Sequence, residues 1–124
     1  MLSEVNRQVV EAFSDKQVHD FFVNSIMTST GKSVGQATGE LKVTIDFFKN
    51  YLGDRVRFLA QAFQNPGDHE GQFCTGYRFP YGQVGVVTPF NFPIEIPILQ
   101  ALGALYMGNK VLLKPDSRVA FPCE

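Results

Sequence analysis

One asparagine and one lysine carry most of the chemistry legible in this sequence. Asn91 stands in Pro89-Phe90-Asn91-Phe92-Pro93, and Lys114 closes the run Lys-Val-Leu-Leu-Lys at 110–114. A neutral amide held in a rigid, dry turn can donate to an oxyanion, an effect worth about 3 kcal/mol in some acyl-transfer enzymes. Asparagine is also a good helix N-cap, and on spacing alone the two readings are even. Lys114 can be a solvated strand end or a contact for a ribose hydroxyl or a phosphate. Its position relative to Asn91 favours the contact.

That relation comes from the elements around them. The segment 81–115 reads as strand, turn, apolar helix, strand. Residues 84–88 are short, apolar and β-branched, the pattern of a parallel strand buried on both faces. Residues 94–107 are apolar nearly all round, which predicts a buried helix, with Pro97 tolerated in its first turn. Gly108-Asn109 stops that helix, and 110–113 is the next strand. Two parallel strands then end on one edge of a sheet, where ligands of open α/β sheets bind.

The preceding half reads as helical. Val5, Val9, Ala12 and Phe13 share one helical face over 3–13. Ser14 to Gln17 and Ser33 to Gln36 both have the capping-box pattern. Between them a second helix turns Val18, Phe21, Phe22, Val23 and Ile26 inward and closes at Gly31. After Ser33, apolar residues recur at steps of three and four from Leu41 through Ile45, Phe48, Leu52, Val56 and Leu59 to Phe63. This predicts one helix roughly 35 Å long, bent at Gly53-Asp54 and ended by Asn65-Pro66-Gly67-Asp68. Residues 72–79 alternate as an extended strand. The organisation expected is a helical region at 1–71, a strand and turn at 72–82, and a βαβ unit at 83–124, which the family resemblance given below makes the start of a nucleotide-binding domain.

Other motifs carry less. Thr30-Gly31-Lys32-Ser33 resembles the end of a phosphate loop but has Ile26 where the first glycine belongs, so a solvated interhelical loop is expected. Gly82-Gln83-Val84-Gly85 precedes its strand, whereas a dinucleotide fingerprint follows one. His19 and His69 lack partners at metal-ligand spacing and read as surface residues, so no metal site is expected. Cys74 reads as packed within its strand, and nothing near Cys123 would activate it. A net charge of −1 and a pI near 6.1 give no basic surface for nucleic acid. No apolar run is long enough for a membrane span, and no targeting segment is visible. The 44% apolar content with twelve phenylalanines indicates a real core.

Val-Val-Thr-Pro-Phe-Asn-Phe-Pro, an apolar helix, Met-Gly-Asn-Lys and Leu-Leu-Lys-Pro-Asp-Ser together resemble the aldehyde dehydrogenase superfamily. Thr-Gly-Lys-Ser-Val-Gly-Gln-Ala-Thr-Gly-Glu-Leu, with the helix after it, is similar to the family's N-terminal helical region. Arg78 onward, with Ala-Leu-Tyr-Met-Gly-Asn-Lys, looks closest to the branch that oxidises glutamate γ-semialdehyde in proline breakdown. The resemblance implies a truncated α/β fold: a helical region, a β-segment and one βαβ unit of an incomplete Rossmann-like parallel sheet. It implies an NAD-dependent oxidation of an aldehyde to its acid, through a cysteine thiolate and a glutamate-activated water. Asn91 then matches the oxyanion asparagine. Thr88, Pro89 and Phe90 match the turn lining the nicotinamide, and Lys114 the adenosine-ribose lysine. Ser117 stands where the family commonly has a ribose-binding glutamate. Losing that carboxylate removes repulsion toward a 2′-phosphate, so NADP is the alternative cofactor. No residue matches the nucleophile or the base, so the chain alone is expected to be inactive.

The implied partner is a small aldehyde, with no nucleic acid or membrane, in a soluble homo-oligomer of the mitochondrial matrix or cytoplasm. The competing expectation is a noncatalytic binding or assembly module derived from such an enzyme, or a partial gene product.

Overall fold

The computed structural model describes residues 1–123. Its elements run α1 (Leu2–Ala12), α2 (Lys16–Thr30), α3 (Val34–Asn50), β1 (Phe63–Pro66), β2 (Phe73–Gly76), β3 (Gln83–Val87), α4 (Glu95–Tyr106) and β4 (Lys110–Lys114). Short 3₁₀ segments lie at Gly53–Ala60, Ser117–Val119 and Phe121–Cys123.

The helix ends follow local chemistry, with one shift. Ser33 and Gln36 form the expected capping box at the start of α3, and α2 closes on Gly31 at φ 73°. At α2, however, Asp15 replaces Ser14 as the cap. Its carboxylate accepts from the Gln17 and Val18 amides at 2.7 and 3.2 Å. The Ser14 hydroxyl instead donates back to the Val10 carbonyl. A carboxylate is favoured there because it also meets the positive end of the helix dipole.

Helix α1 is rolled away from its expected face. Val5 and Ala12 are exposed, while Asn6 is buried. The Asn6 amide donates to the Phe48 carbonyl at 2.9 Å and to the Tyr106 hydroxyl at 3.0 Å, tying α1 to the ends of α3 and α4. A polar residue on the buried face is tolerable because those partners accept its protons. On α2, Phe21 also faces solvent, while Val23 and Ile26 enter the core.

The long helix predicted through Phe63 is not continuous. Helix α3 ends at Asn50, and Gly53, at φ 57°, starts the 3₁₀ segment. Asn65 and Pro66, expected to end a helix, instead belong to β1, which pairs antiparallel with β2 in the register Phe63↔Gly76 to Pro66↔Phe73. The turn closes through the Gly67 amide on the Gln72 carbonyl at 2.9 Å. A Cβ at residue 67 would lie 2.5 Å from the Gln72 Cβ, so only glycine fits. Cys74, expected to be packed, is exposed on β2.

The βαβ unit forms as the spacing predicts. Strands β3 and β4 are parallel, from Gln83↔Lys110 to Val87↔Lys114. Asn109 locks the unit. It accepts from the Gly82 amide at 3.1 Å and donates to the Ala104 carbonyl at 3.0 Å. Burial is less than expected. In β3 only Val86 is buried, and α4 buries only Pro97 and Leu102. Each described sheet has two strands, so one face and both flanks of β3–β4 lack cover within the described residues. The main core lies elsewhere, where Val23 and Ile26 of α2 and Ala37 and Leu41 of α3 meet Ile94 at the start of α4. The turn between β3 and α4 is therefore seated on the helical layer.

Candidate functional site

The expected site residues fall on one edge. Thr88 directly follows β3, and its amide donates to the Lys114 carbonyl at 3.2 Å, extending the parallel pairing by one step. The main chain then leaves the sheet through Pro89, Phe90 and Asn91, all exposed. The Thr88 hydroxyl is buried and has no hydrogen-bond partner among the described residues. Lys114 is exposed at the end of β4, its ammonium donating to the Pro115 carbonyl at 3.1 Å. Ser117 is exposed one turn further on. Asn91, Thr88 and Lys114 thus share the carboxyl edge of β3–β4, as the spacing predicts.

The helix-cap reading of Asn91 is not what the structure shows. The N-cap position of α4 is Ile94, with no side-chain cap from its own segment. The Asn91 side chain bonds to no described residue and is free to face a ligand.

The cap comes from Glu40, in the middle of α3. One carboxylate oxygen accepts from the Ile94 amide at 3.0 Å and the Glu95 amide at 3.2 Å. The other accepts from the Lys32 ammonium at 2.7 Å. Glu40 has 1% of its side chain exposed and Lys32 16%. The Lys32 ammonium also lies 3.8 Å from the centroid of the Phe92 ring. The expected interhelical loop is present and exposed at Gly31 and Ser33, but the Lys32 side chain turns inward from it. Burial, and next the nearby Glu40 carboxylate, push the Glu95 carboxyl above its usual range, against the pull of Lys32.

Sequence reasoning passed over Glu40, although a signal was present. Ala37, Glu40, Leu41, Thr44 and Phe48 are the buried residues of α3. A carboxylate on an apolar helical stripe must find partners, because an unpaired buried charge is prohibitive.

The other flank of Asn91 is covered too. The Arg118 guanidinium stacks 4.0 Å from the centroid of the Phe90 ring. Asp116 holds it with two side-chain bonds of 2.9 and 3.0 Å. The Arg118 side chain, and next its amide, hold the Asp116 carboxyl at about 2, below the usual 3.8. A depressed carboxyl contributes stability above its unfolded value and loses it as pH falls through the folded one. The Asp116–Arg118 pair is therefore expected to weaken between roughly pH 4 and pH 2. An NMR titration should show the Arg118 amide and the Phe90 ring shifting together in that window. Independent titration of the two would refute the link.

A helical layer carrying a βαβ unit, with an exposed polar turn at the carboxyl edge of its first strand, is an α/β arrangement whose ligands bind at that edge. The Aldehyde dehydrogenase family matches residues 5–123, and the chain belongs to that family. It is 50% identical, over all 124 residues, to the mitochondrial Delta-1-pyrroline-5-carboxylate dehydrogenase 12A1 of Arabidopsis thaliana, covering 22% of that protein. The chain thus spans about a fifth of the length of such relatives. Among solved structures, it resembles succinic semialdehyde dehydrogenase from Streptococcus pyogenes in complex with NADP+, with a TM-score of 0.82 and 20% identity over 94% of this chain and 25% of that one. It also resembles an NAD-dependent benzaldehyde dehydrogenase from Corynebacterium glutamicum, with a TM-score of 0.76 and 23% identity over 94% of this chain and 24% of that one. At those identities the structural likeness establishes the fold. No helix among the described residues is long and apolar enough to cross a membrane.

Proposed function

We propose that this chain supplies the oxyanion donor and part of the cofactor edge of an NAD(P)-dependent dehydrogenase that oxidises L-glutamate γ-semialdehyde to glutamate. The observation that carries the reading is the exposed Asn91 amide on a turn buttressed from both sides, at the carboxyl edge of β3. The substrate is supported by the 50% identity to the plant enzyme.

In this reading Asn91 donates its amide protons to the carbonyl oxygen of the aldehyde as negative charge grows there. A donor already in place costs no reorganisation during the reaction. Thr88, Pro89 and Phe90 line the nicotinamide side, and the unpartnered Thr88 hydroxyl is a polar group in want of a ligand. Lys114 and Ser117 offer a cation and a hydroxyl to the adenosine ribose. These groups fit a dinucleotide, which when bound supplies the hydride acceptor. Ser117 in place of a carboxylate admits a 2′-phosphate, so both NAD and NADP should bind. The region 83–124 serves as the cofactor-facing part, and 1–71 as its support. The complete enzyme is taken to be a homo-oligomer of the mitochondrial matrix or cytoplasm.

The test is steady-state oxidation by the complete enzyme carrying this chain, with NAD or NADP and a panel of semialdehydes. NADH formation with the highest kcat/KM for glutamate γ-semialdehyde is expected, and no turnover from residues 1–124 alone. A stronger preference for another semialdehyde would sink the substrate assignment. Nucleotide binding by the complete protein without any oxidation would point to a noncatalytic module instead.

A further inference from the structure

We propose that Glu40 is a positioning residue for Asn91, holding the oxyanion turn from behind through the start of α4 and through Lys32. This rests on the oxyanion role of Asn91 given above. The argument begins with what Asn91 lacks. Its side chain bonds to no described residue, so its aim is set only by the backbone of the turn. That backbone needs fixed points on each side, because a donor displaced by about 1 Å can lose on the order of a hundredfold in rate.

On the helix side both fixed points trace to Glu40. The first amides of a helix have no partner within it. At α4 the Ile94 and Glu95 amides converge on one Glu40 oxygen, three and four residues after Asn91. These are charge-assisted bonds, and the carboxylate also faces the positive end of the helix dipole. The second Glu40 oxygen holds the Lys32 ammonium, which in turn lies on the ring of Phe92, the residue next to Asn91. One buried carboxylate therefore governs the ring beside the donor and the amides beyond it. Lys32 and Glu40 stand eight residues apart, on either side of the Ser33 cap, so the α2–α3 junction and α3 itself are coupled to the turn. Hydrophobic contacts could place α4 roughly. Directional bonds to two named amides set its register and the angle at which the chain enters it.

The experiment is a double-mutant cycle in the complete enzyme, with kcat expressed per active site and the KM for cofactor followed in parallel. Glu40→Ala is expected to lower kcat roughly 10- to 100-fold, with little change in the cofactor KM. Placed on top of Asn91→Ala, it should lower kcat no further, since the donor it positions is already gone. Glu40→Gln keeps an acceptor for the two amides and loses the ion pair. It should show a smaller loss with the same non-additivity, and it decides the matter if the alanine variant does not fold. An equal factor from the Glu40 change in both backgrounds would mean a merely structural role and overturn the proposal. So would an unchanged kcat in both Glu40 single variants. In either case a normal loss in Asn91→Ala leaves the oxyanion reading standing. If Asn91→Ala alone has no effect, that reading falls and this inference falls with it.

Discussion

Replacing Asn91 by alanine should lower kcat of the complete enzyme about 10²–10³-fold while leaving its folding stability nearly unchanged. The magnitude is that of one lost oxyanion donor, about 2.7–4 kcal/mol of transition-state stabilisation. The separation of rate from stability follows from the geometry. The Asn91 side chain is exposed, and no described group depends on it. The amides it would have capped are held by Glu40. The Arg118 guanidinium lies against the Phe90 ring and the Lys32 ammonium against the Phe92 ring, and neither contact involves Asn91. A surface truncation of this kind usually changes stability by less than about 0.5 kcal/mol. Because the interaction strengthens as charge develops on oxygen, kcat and kcat/KM should fall together, with the cofactor KM unmoved. Steady-state kinetics with thermal unfolding on the same preparation would check this. A large loss of stability with a small loss of rate would restore the helix-cap reading.

Leu41→Ala should destabilise the fold by about 2–5 kcal/mol, whereas Phe63→Ala should cost far less. On helical periodicity the two residues belong to one continuous stripe and would be equally critical. In the structure Leu41 is fully buried at 0% exposure, against Val23, Ile26 and Ile94. Removing its methyl groups leaves a cavity in the layer on which α4 begins. Phe63 lies on β1 with 54% of its surface exposed, its ring accompanied by the Arg78 guanidinium at 4.7 Å. Urea denaturation of the two variants should separate them by their midpoints. Similar losses at both positions would mean that the β1–β2 hairpin is packed as tightly as the core. Leu41→Ala should also loosen Ile94, so a drop in turnover beyond the loss of folded protein is expected from it.

The break between those two residues shows where periodicity stops being informative. From Leu41 to Phe48 the three-four spacing and the packing agree. Beyond Tyr51 the same spacing continues, but Gly53 adopts a left-handed φ and the chain winds into 3₁₀ turns before it pairs as a strand. A hydrophobic stripe reports a helix only when something buries it, and past Asn50 little does. The hairpin was hidden for a related reason. Residues 63–66 gain their strand conformation from pairing with 73–76, and a four-residue segment has too little pattern of its own to announce that. At α2 the cap moved from Ser14 to Asp15, a choice between adjacent acceptors that a pattern of residue types cannot settle.

The candidate site divides in the same way. Where Asn91, Thr88 and Lys114 would sit was legible, because each is placed by signals a few residues long: β-branched strands, the Gly82 and Gly108 turns, and an apolar helix of the right length between them. Parallel pairing then brings the ends of both strands to one edge, whatever else the chain does. The tertiary structure alone decided that Asn91 is not a cap, that the Lys32 side chain turns in toward Glu40, and that Glu40 reaches α4. Glu40 lies 54 and 55 residues from the amides it accepts, and its carboxylate is tolerable in the interior only when those amides and Lys32 arrive together. Local propensity can specify a turn from its own residues. It cannot specify which distant charge will be desolvated against that turn, because the energy of that contact exists only after α2, α3 and α4 have packed.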